Sequence, residues 1–226
     1  MFGSLISPAD ETVSGNRYTL WIDGVGAWEL LTSPVVTIGR TTNPVSPLTS
    51  RSGLAQEAVD EADVTVMSRL SRKHAQLERV NENWILTAYS TTQIDNRAVD
   101  RQTVLPDDCE ITLGDSVRLG FCATTPLSVS ARLSFNSEHR PAVPIDGVIL
   151  MAHTCLLGPG PENHVPCPHW PASVVLVRNH KGLAVKSRAD LFLDGSLVTG
   201  PAQLSSGQVI SGKDFRFRLE ERNPEH

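Results

Sequence analysis

Aromatic residues make up only 5 % of the chain, acids outnumber bases, and long apolar runs are missing. Each shortage excludes something. With 20 Lys and Arg against 25 Asp and Glu, the formal net charge is −5. That argues against general nucleic-acid binding, which needs a basic face. No segment approaches the roughly 18 apolar residues of a membrane span. The N-terminus, MFGSLISPADETVSG, lacks the basic region and apolar core of a signal peptide. The expectation is a soluble cytoplasmic protein. The four cysteines, Cys109, Cys122, Cys155 and Cys167, form no regular framework and suit reduced thiols better than a disulfide scaffold. Helical periodicity is nearly absent. Only LAQEAVDEAD, Leu54 to Asp63, predicts a turn or two of helix within a loop.

Strand signals fill the space that helices leave. RYTLWI, PVVTIG, ADVTVM, HAQLERV, NWILTAY, EITLG, SVRLGF and LSVSARLSF are short runs, alternating or β-branched, separated by Gly, Pro, Asn and Asp. That spacing predicts antiparallel β-sandwiches. At 40 % hydrophobic residues the chain can bury a core. The stretch from Arg40 to Ala62 is an unusually long loop, and loops of that length are commonly functional or disordered. A second irregular stretch, NSEHRPAVPIDG, separates two halves that resemble each other. His74 aligns with Ser173, Asn96 with Gly195 and Leu105 with Leu204 at one constant offset. Gly39 aligns with Gly158 at a larger offset, because the second half lacks the long loop. Internal duplication accounts for such a pattern.

The chemistry gathers around SRLSRKHAQLERV, Ser68 to Val80. Gly39-Arg40 closes one strand, and Ser71-Arg72-Lys73-His74 opens a later one. DNRAV, Asp95 to Val99, is a turn, and LGDSVRLG, Leu113 to Gly120, holds another. Glycine-arginine, serine three before a histidine, an Asn-containing turn and Gly-Asp, in that order, resemble the forkhead-associated (FHA) domain over roughly Arg17 to Phe135. The resemblance implies a β-sandwich that reads phosphothreonine peptides with the loops at one end. It implies Arg40 as the main phosphate donor, Ser71 as the hydroxyl donor, Arg72 as a peptide or phosphate contact, and His74 with Gly39 as support of the site. The physical logic is independent of the name. A phosphothreonine carries about −1.5 to −2 charges and three acceptor oxygens. A planar bidentate donor and a hydroxyl match it. Arg69 is expected to favour an acid a few residues after the phosphothreonine. The family turn reads like S-T-N-G-T-x-V-N-G, where this chain has YSTTQIDNR. With Asn96 set on the last asparagine, Thr91 and Thr92 fall on Asn-Gly, and Thr91, Thr92 and Asn96 frame the peptide. Threonine lacks the amide fork, so the peptide contact is expected to be weaker or rearranged.

The second half lacks the charged contacts: Pro159 stands for Arg40, Trp170 for Ser71 and Ser173 for His74. The expected fold is all-β: two tandem antiparallel sandwiches of FHA type, the second degenerate. Residues 1–14 would be an N-terminal tail, 15–137 the FHA domain, 138–144 a linker and 145–226 the degenerate copy. The expected activity is phosphothreonine-dependent binding of a Ser/Thr kinase substrate, with no catalytic residue and no cofactor. Self-association is a variant, through Thr41, Thr42 or Thr49 of the long loop if a kinase modifies them. The alternative is a phosphate-independent scaffold of the same fold. Ser71-x-x-His74 lacks a nucleophile elbow and a third member, which argues against a hydrolase. His153, Cys155, His164, Cys167 and His169 are zinc-ligand types, but their spacing matches no common zinc frame, so no metal is expected.

Overall fold

A computed structural model describes residues 16–40, 61–66, 70–124, 128–141 and 143–222. Among them are 22 short strands and no helix. The first eleven are β1 (Arg17–Ile22), β2 (Gly26–Leu31), β3 (Val35–Gly39), β4 (Glu61–Thr65), β5 (Ala75–Val80), β6 (Asn83–Ala88), β7 (Thr92–Ile94), β8 (Arg97–Ala98), β9 (Gln102–Val104), β10 (Asp108–Leu113) and β11 (Val117–Cys122). The rest are β12 (Ala131–Phe135), β13 (Gly147–Leu150), β14 (Thr154–Gly158), β15 (Val165–Pro166), β16 (Val174–Asn179), β17 (Gly182–Ser187), β18 (Leu191–Leu193), β19 (Ser196–Val198), β20 (Ala202–Gln203), β21 (Val209–Ser211) and β22 (Arg216–Arg222). Alternation makes most of them. In β10, Cys109, Ile111 and Leu113 are buried while Asp108, Glu110 and Thr112 are not. Of the helical turn expected over Leu54–Asp63, Glu61 to Asp63 belong to β4, and the remainder lies outside the described residues.

The strands form three sheets. One has twelve strands in the order β19-β18-β21-β22-β1-β2-β13-β12-β11-β10-β7-β8. The other two have five each, β4-β3-β5-β6-β9 and β15-β14-β16-β17-β20. These two repeat one plan: β3 is parallel to β4 and antiparallel to β5, as β14 is to β15 and β16. Two hydrophobic cores result. The first joins Val36, Ile38, Leu77 and Leu86 to Ile111, Leu119, Leu133 and Val148. The second joins Leu157, Val174, Leu176 and Val185 to Phe217, Leu219, Leu20 and Ile149.

The strand pairing crosses the boundary expected between residues 137 and 145. The N-terminal hairpin β1–β2 is covalently tied to β3 of the first sandwich, yet β1 pairs with β22 over its whole length. Tyr18, Leu20, Ile22, Trp28 and Leu30 sit in the second core. The mirror exchange involves β12–β13, which precede the second sandwich in sequence. There β12 pairs with β11, and Ala131, Leu133, Phe135, Val148 and Leu150 sit in the first core. Each sandwich therefore holds the hairpin that precedes the other. At the crossing, β2 and β13 run parallel. Ala27 and Leu31 face the first core, whereas Trp28 and Leu30 face the second. Alternate residues of a strand point to opposite faces, so the two five-stranded sheets cover opposite faces of the long sheet.

This junction explains two continuous runs, GAWELL in β2 and GVIL in β13, which are buried on both faces. Gly147 is needed there because a Cβ would lie 2.4 Å from the Trp28 ring. Asp146 pins the crossing: its carboxylate accepts from Ala27 N–H at 2.8 Å, and its own N–H donates to Ala27 O at 2.7 Å. Glu29 is buried inside the junction, 5 % exposed, with Arg17 Nε 3.4 Å away. Burial pushes its carboxyl above the ordinary glutamate range, and Arg17 and Arg222 only oppose that in part. The folded chain then holds the proton more tightly than the unfolded one. The cost of Glu29 is absent at pH values below the ordinary glutamate range and grows as pH rises through its raised pKa. Glu29→Gln is expected to raise the thermal midpoint at neutral pH and leave it unchanged in strong acid. A melting series across pH checks this.

Candidate functional site

Antiparallel pairing brings four chain segments to one end of the first sandwich. Ile38 faces Ala75 and Ala75 faces Ala88, so the end of β3, the start of β5 and the end of β6 coincide. Leu113 faces Thr92, which adds the β10–β11 turn. Backbone bonds fasten the ends together. Arg40 N–H donates to Ser71 O at 3.0 Å and His74 N–H to Ile38 O at 2.9 Å. Tyr89 and Ser90 N–H donate to His74 O, and Gly114 N–H donates to Thr91 O at 2.9 Å.

His74 is 4 % exposed, and its Nε2 lies 2.8 Å from Thr91 O. A carbonyl only accepts, so Nε2 carries the proton. The ring ties the β4–β5 segment to the β6–β7 turn from beneath and does not reach the surface. Ser71 Oγ lies 2.9 Å from Ser90 Oγ, not against an imidazole. Among the described residues the serine has no base beside it, and its arrangement does not match a Ser–His catalytic pair. Gly39 is required by close approach: a Cβ there would lie 1.8 Å from Arg72 O and 2.9 Å from Ser71 O. Gly39→Ala is expected to force residues 71–72 off β3 and cost about 1–3 kcal/mol. Denaturant unfolding measures the loss, and faster exchange of the Arg40 amide locates it.

Arg40, Ser71, Arg72 and Thr91 are exposed at this end. The guanidinium groups of Arg40 and Arg72 have no hydrogen-bond or ion-pair partner among the described residues. Lys73 is drawn aside: its Nζ lies 3.3 Å from Glu61 Oε1 and 4.9 Å from the centre of the Tyr89 ring. Arg69 and the loop threonines Thr41, Thr42 and Thr49 lie outside the described residues.

Thr92 and Asn96 do not join the group. Thr92 is 2 % exposed, and its hydroxyl donates to Ser90 O at 2.9 Å. Asn96 sits in the β7–β8 turn, where Asp95 and Asn96 both have positive φ, 48° and 64°. That turn is at the opposite end of β7 from Thr91, about 10 Å along the strand. The second half has the same turn at Asp194 and Gly195, with φ of 49° and 83°. Asp95 Oδ1 accepts from Glu110 N–H at 2.9 Å, and Asp194 Oδ1 accepts from Val209 N–H at 3.0 Å. The turn pair is thus Asp95-Asn96, and the expected alignment moves by one residue. Ser90 and Thr91, not Thr91 and Thr92, stand where the family has Asn-Gly. Ser90 was missed by the sequence reading. The available signal was the preference of two-residue hairpin turns for Asp or Asn followed by a residue tolerant of positive φ.

The corresponding end of the second sandwich is filled. Trp170 is 5 % exposed, with ring centroids 4.9 Å from Phe215 and 6.0 Å from Phe217. Of the candidate metal ligands of this half, Cys155, His164 and Cys167 are buried, while His153 and His169 are exposed. Burial pushes the Cys155 thiol up and the Cys167 thiol up to about 12. It also pulls His164 down to about 4, so that ring is neutral at ordinary pH. His164 Nδ1 accepts from Leu156 N–H at 3.0 Å. No three His, Cys, Asp or Glu side chains converge as metal ligands among the described residues, and no helix there is long and apolar enough to cross a membrane.

A sequence model of the FHA domain matches residues 36–114. Among solved structures, the chain is similar to the FHA structure of Rv0020c at 19 % identity and a TM-score of 0.25, covering 46 % of this chain and 90 % of that one. It is similar to the N-terminal FHA domain of EssC, a component of the bacterial type VII secretion apparatus, at 12 % identity and a TM-score of 0.24, covering 92 % of this chain and 95 % of that one. No curated protein matches. The chain therefore carries an FHA domain at residues 36–114 within an all-β fold, and FHA domains in general are modules that bind phosphorylated protein partners rather than enzymes.

Proposed function

We propose that this chain reads a phosphothreonine in a partner protein, a substrate of a Ser/Thr kinase, through the exposed end of its FHA sandwich. The observation that carries the reading is Arg40, exposed and with no side-chain partner among the described residues, on a backbone whose N–H donates to Ser71 O. Arg40 offers a planar fork to two phosphate oxygens, and Ser71 offers a hydroxyl to the third. Arg72 adds charge at the rim. Ser90 holds the Ser71 hydroxyl in place before the ligand arrives, and its own hydroxyl substitutes in part for the missing amide fork. The cytoplasm is the proposed location. If Thr41, Thr42 or Thr49 is the phosphorylated residue, a neighbouring molecule is the partner.

A specific observation favours a second reading, a phosphate-independent scaffold. Ser90-Thr91 replaces Asn-Gly, and Trp170 fills the other sandwich, which we read as a degenerate FHA-like copy with no pocket. A degenerate phosphothreonine peptide library, run beside its unphosphorylated twin and with Arg40→Ala as control, separates the two. Phosphate-dependent capture that disappears in Arg40→Ala supports the reader. Capture indifferent to phosphate and to Arg40 supports the scaffold.

A further inference from the structure

The structure assigns a second binding site, independent of the phosphate reading. We propose that the slot beside β22 on the second sandwich is a β-hairpin site, and that it accepts the β1–β2 hairpin of a second copy of this chain. Within one chain the slot is already filled by a hairpin that belongs, by covalent order, to the other sandwich. The contacts are complete: β1 pairs with β22 from Arg17 to Ile22, and Leu20 and Leu30 are fully buried in the second core. None of these contacts requires that hairpin and slot come from the same chain.

What keeps them in one chain is the tether Thr32-Ser33-Pro34 between β2 and β3. The tether is short, and Pro34 disfavours the compact backbone at Ser33. It is held closed by Arg178 Nη1 donating to Thr32 O at 2.7 Å and by Met151 N–H donating to Leu31 O at 2.7 Å. The β1–β2 hairpin is the exchanging element because its link to the first sandwich, residues 32–34, is only three residues long and is the hinge that these two hydrogen bonds hold. Exchange between copies reproduces every core contact and changes only the hinge, so concentration decides between the closed chain and the exchanged pair.

The test uses the full chain. Unfolded protein is refolded at micromolar and at millimolar concentration and sized by light scattering. The expected result is monomer from the dilute sample and a dimer from the concentrated one that survives dilution. Isotope-labelled and unlabelled chains carrying Thr19→Cys with Glu220→Cys, a facing pair of β1 and β22, are then refolded together. A disulfide joining labelled to unlabelled chain confirms exchange through the slot. Monomer at every refolding concentration overturns the proposal, whether or not the cysteine variant folds. So does a dimer in which all 19–220 links stay within one chain.

Discussion

Deleting residues 1–31 is expected to unfold the C-terminal half of the chain and spare most of the N-terminal half. In a serial arrangement the opposite would follow, since the deleted hairpin precedes the FHA sandwich. The exchanged pairing reverses it, because Tyr18, Leu20, Ile22, Trp28 and Leu30 are part of the second core. Burying side chains of this size is worth about 1.5–3 kcal/mol each, roughly 7–15 kcal/mol for the five as an upper estimate. A domain's whole stability is about 5–15 kcal/mol. The second sandwich cannot absorb that loss, and it also loses the strand paired with β22. The first sandwich loses Ala27, Leu31, the partly buried Trp21 and the parallel neighbour of β13. Hydrogen exchange read strand by strand checks the prediction: protection persists in β3 and β5 to β11 and vanishes in β14 to β22. Single substitutions repeat it on a smaller scale. Leu20→Ala is expected to cost about 2–5 kcal/mol in the second sandwich, and Leu150→Ala a similar amount in the first. Both residues are fully buried. Each lies on the far side of the sequence boundary from the core it serves.

That inversion marks the limit of what the sequence conveyed. Alternation located most strands correctly, because a strand with one wet face writes its period into the chain. The duplicated sheet plan follows the constant offset that pairs His74 with Ser173. The exchange of hairpins left only an indirect trace. Identical strand positions can be filled from either half, since pairing depends on register and apolar pattern and not on which segment precedes which. GAWELL and GVIL carried the available hint, as runs without alternation that need cover on both faces. That Gly39, Arg40, Ser71 and His74 meet at one end of the first sandwich was legible, because the strand ends that carry them pair. Ser90 was lost by one residue of register, and Thr92 and Asn96 took its place. Adjacent residues of a strand face opposite sides, so the one-residue difference separates exposed Thr91 from buried Thr92.

The second large effect is expected at Arg40. Replacing it with alanine removes the proposed bidentate donor to the phosphate. Hydrogen bonds to charged groups contribute about 1.5–3 kcal/mol each. A loss of about 3 kcal/mol is roughly a hundredfold in Kd. Arg40 is exposed and without a side-chain partner among the described residues, so its removal should leave the thermal midpoint unchanged. Arg40→Lys is expected to recover only part of the affinity, because an ammonium is a point charge and cannot fork. Calorimetric titration with one phosphothreonine peptide, beside melting curves of each variant, tests both halves. Ser90→Asn runs the other way. It supplies the amide that the family turn has, and is expected to tighten binding in the same titration.

The most direct test of the functional reading is the amide spectrum of the labelled full chain, titrated with a phosphothreonine peptide and with its unphosphorylated twin. The predicted result is a phosphate-dependent shift of the Arg40, Ser71, Ser90 and Thr91 amides, with the second sandwich silent. Identical responses to both peptides, or a phosphate-dependent response confined to residues away from this end of the first sandwich, would contradict it.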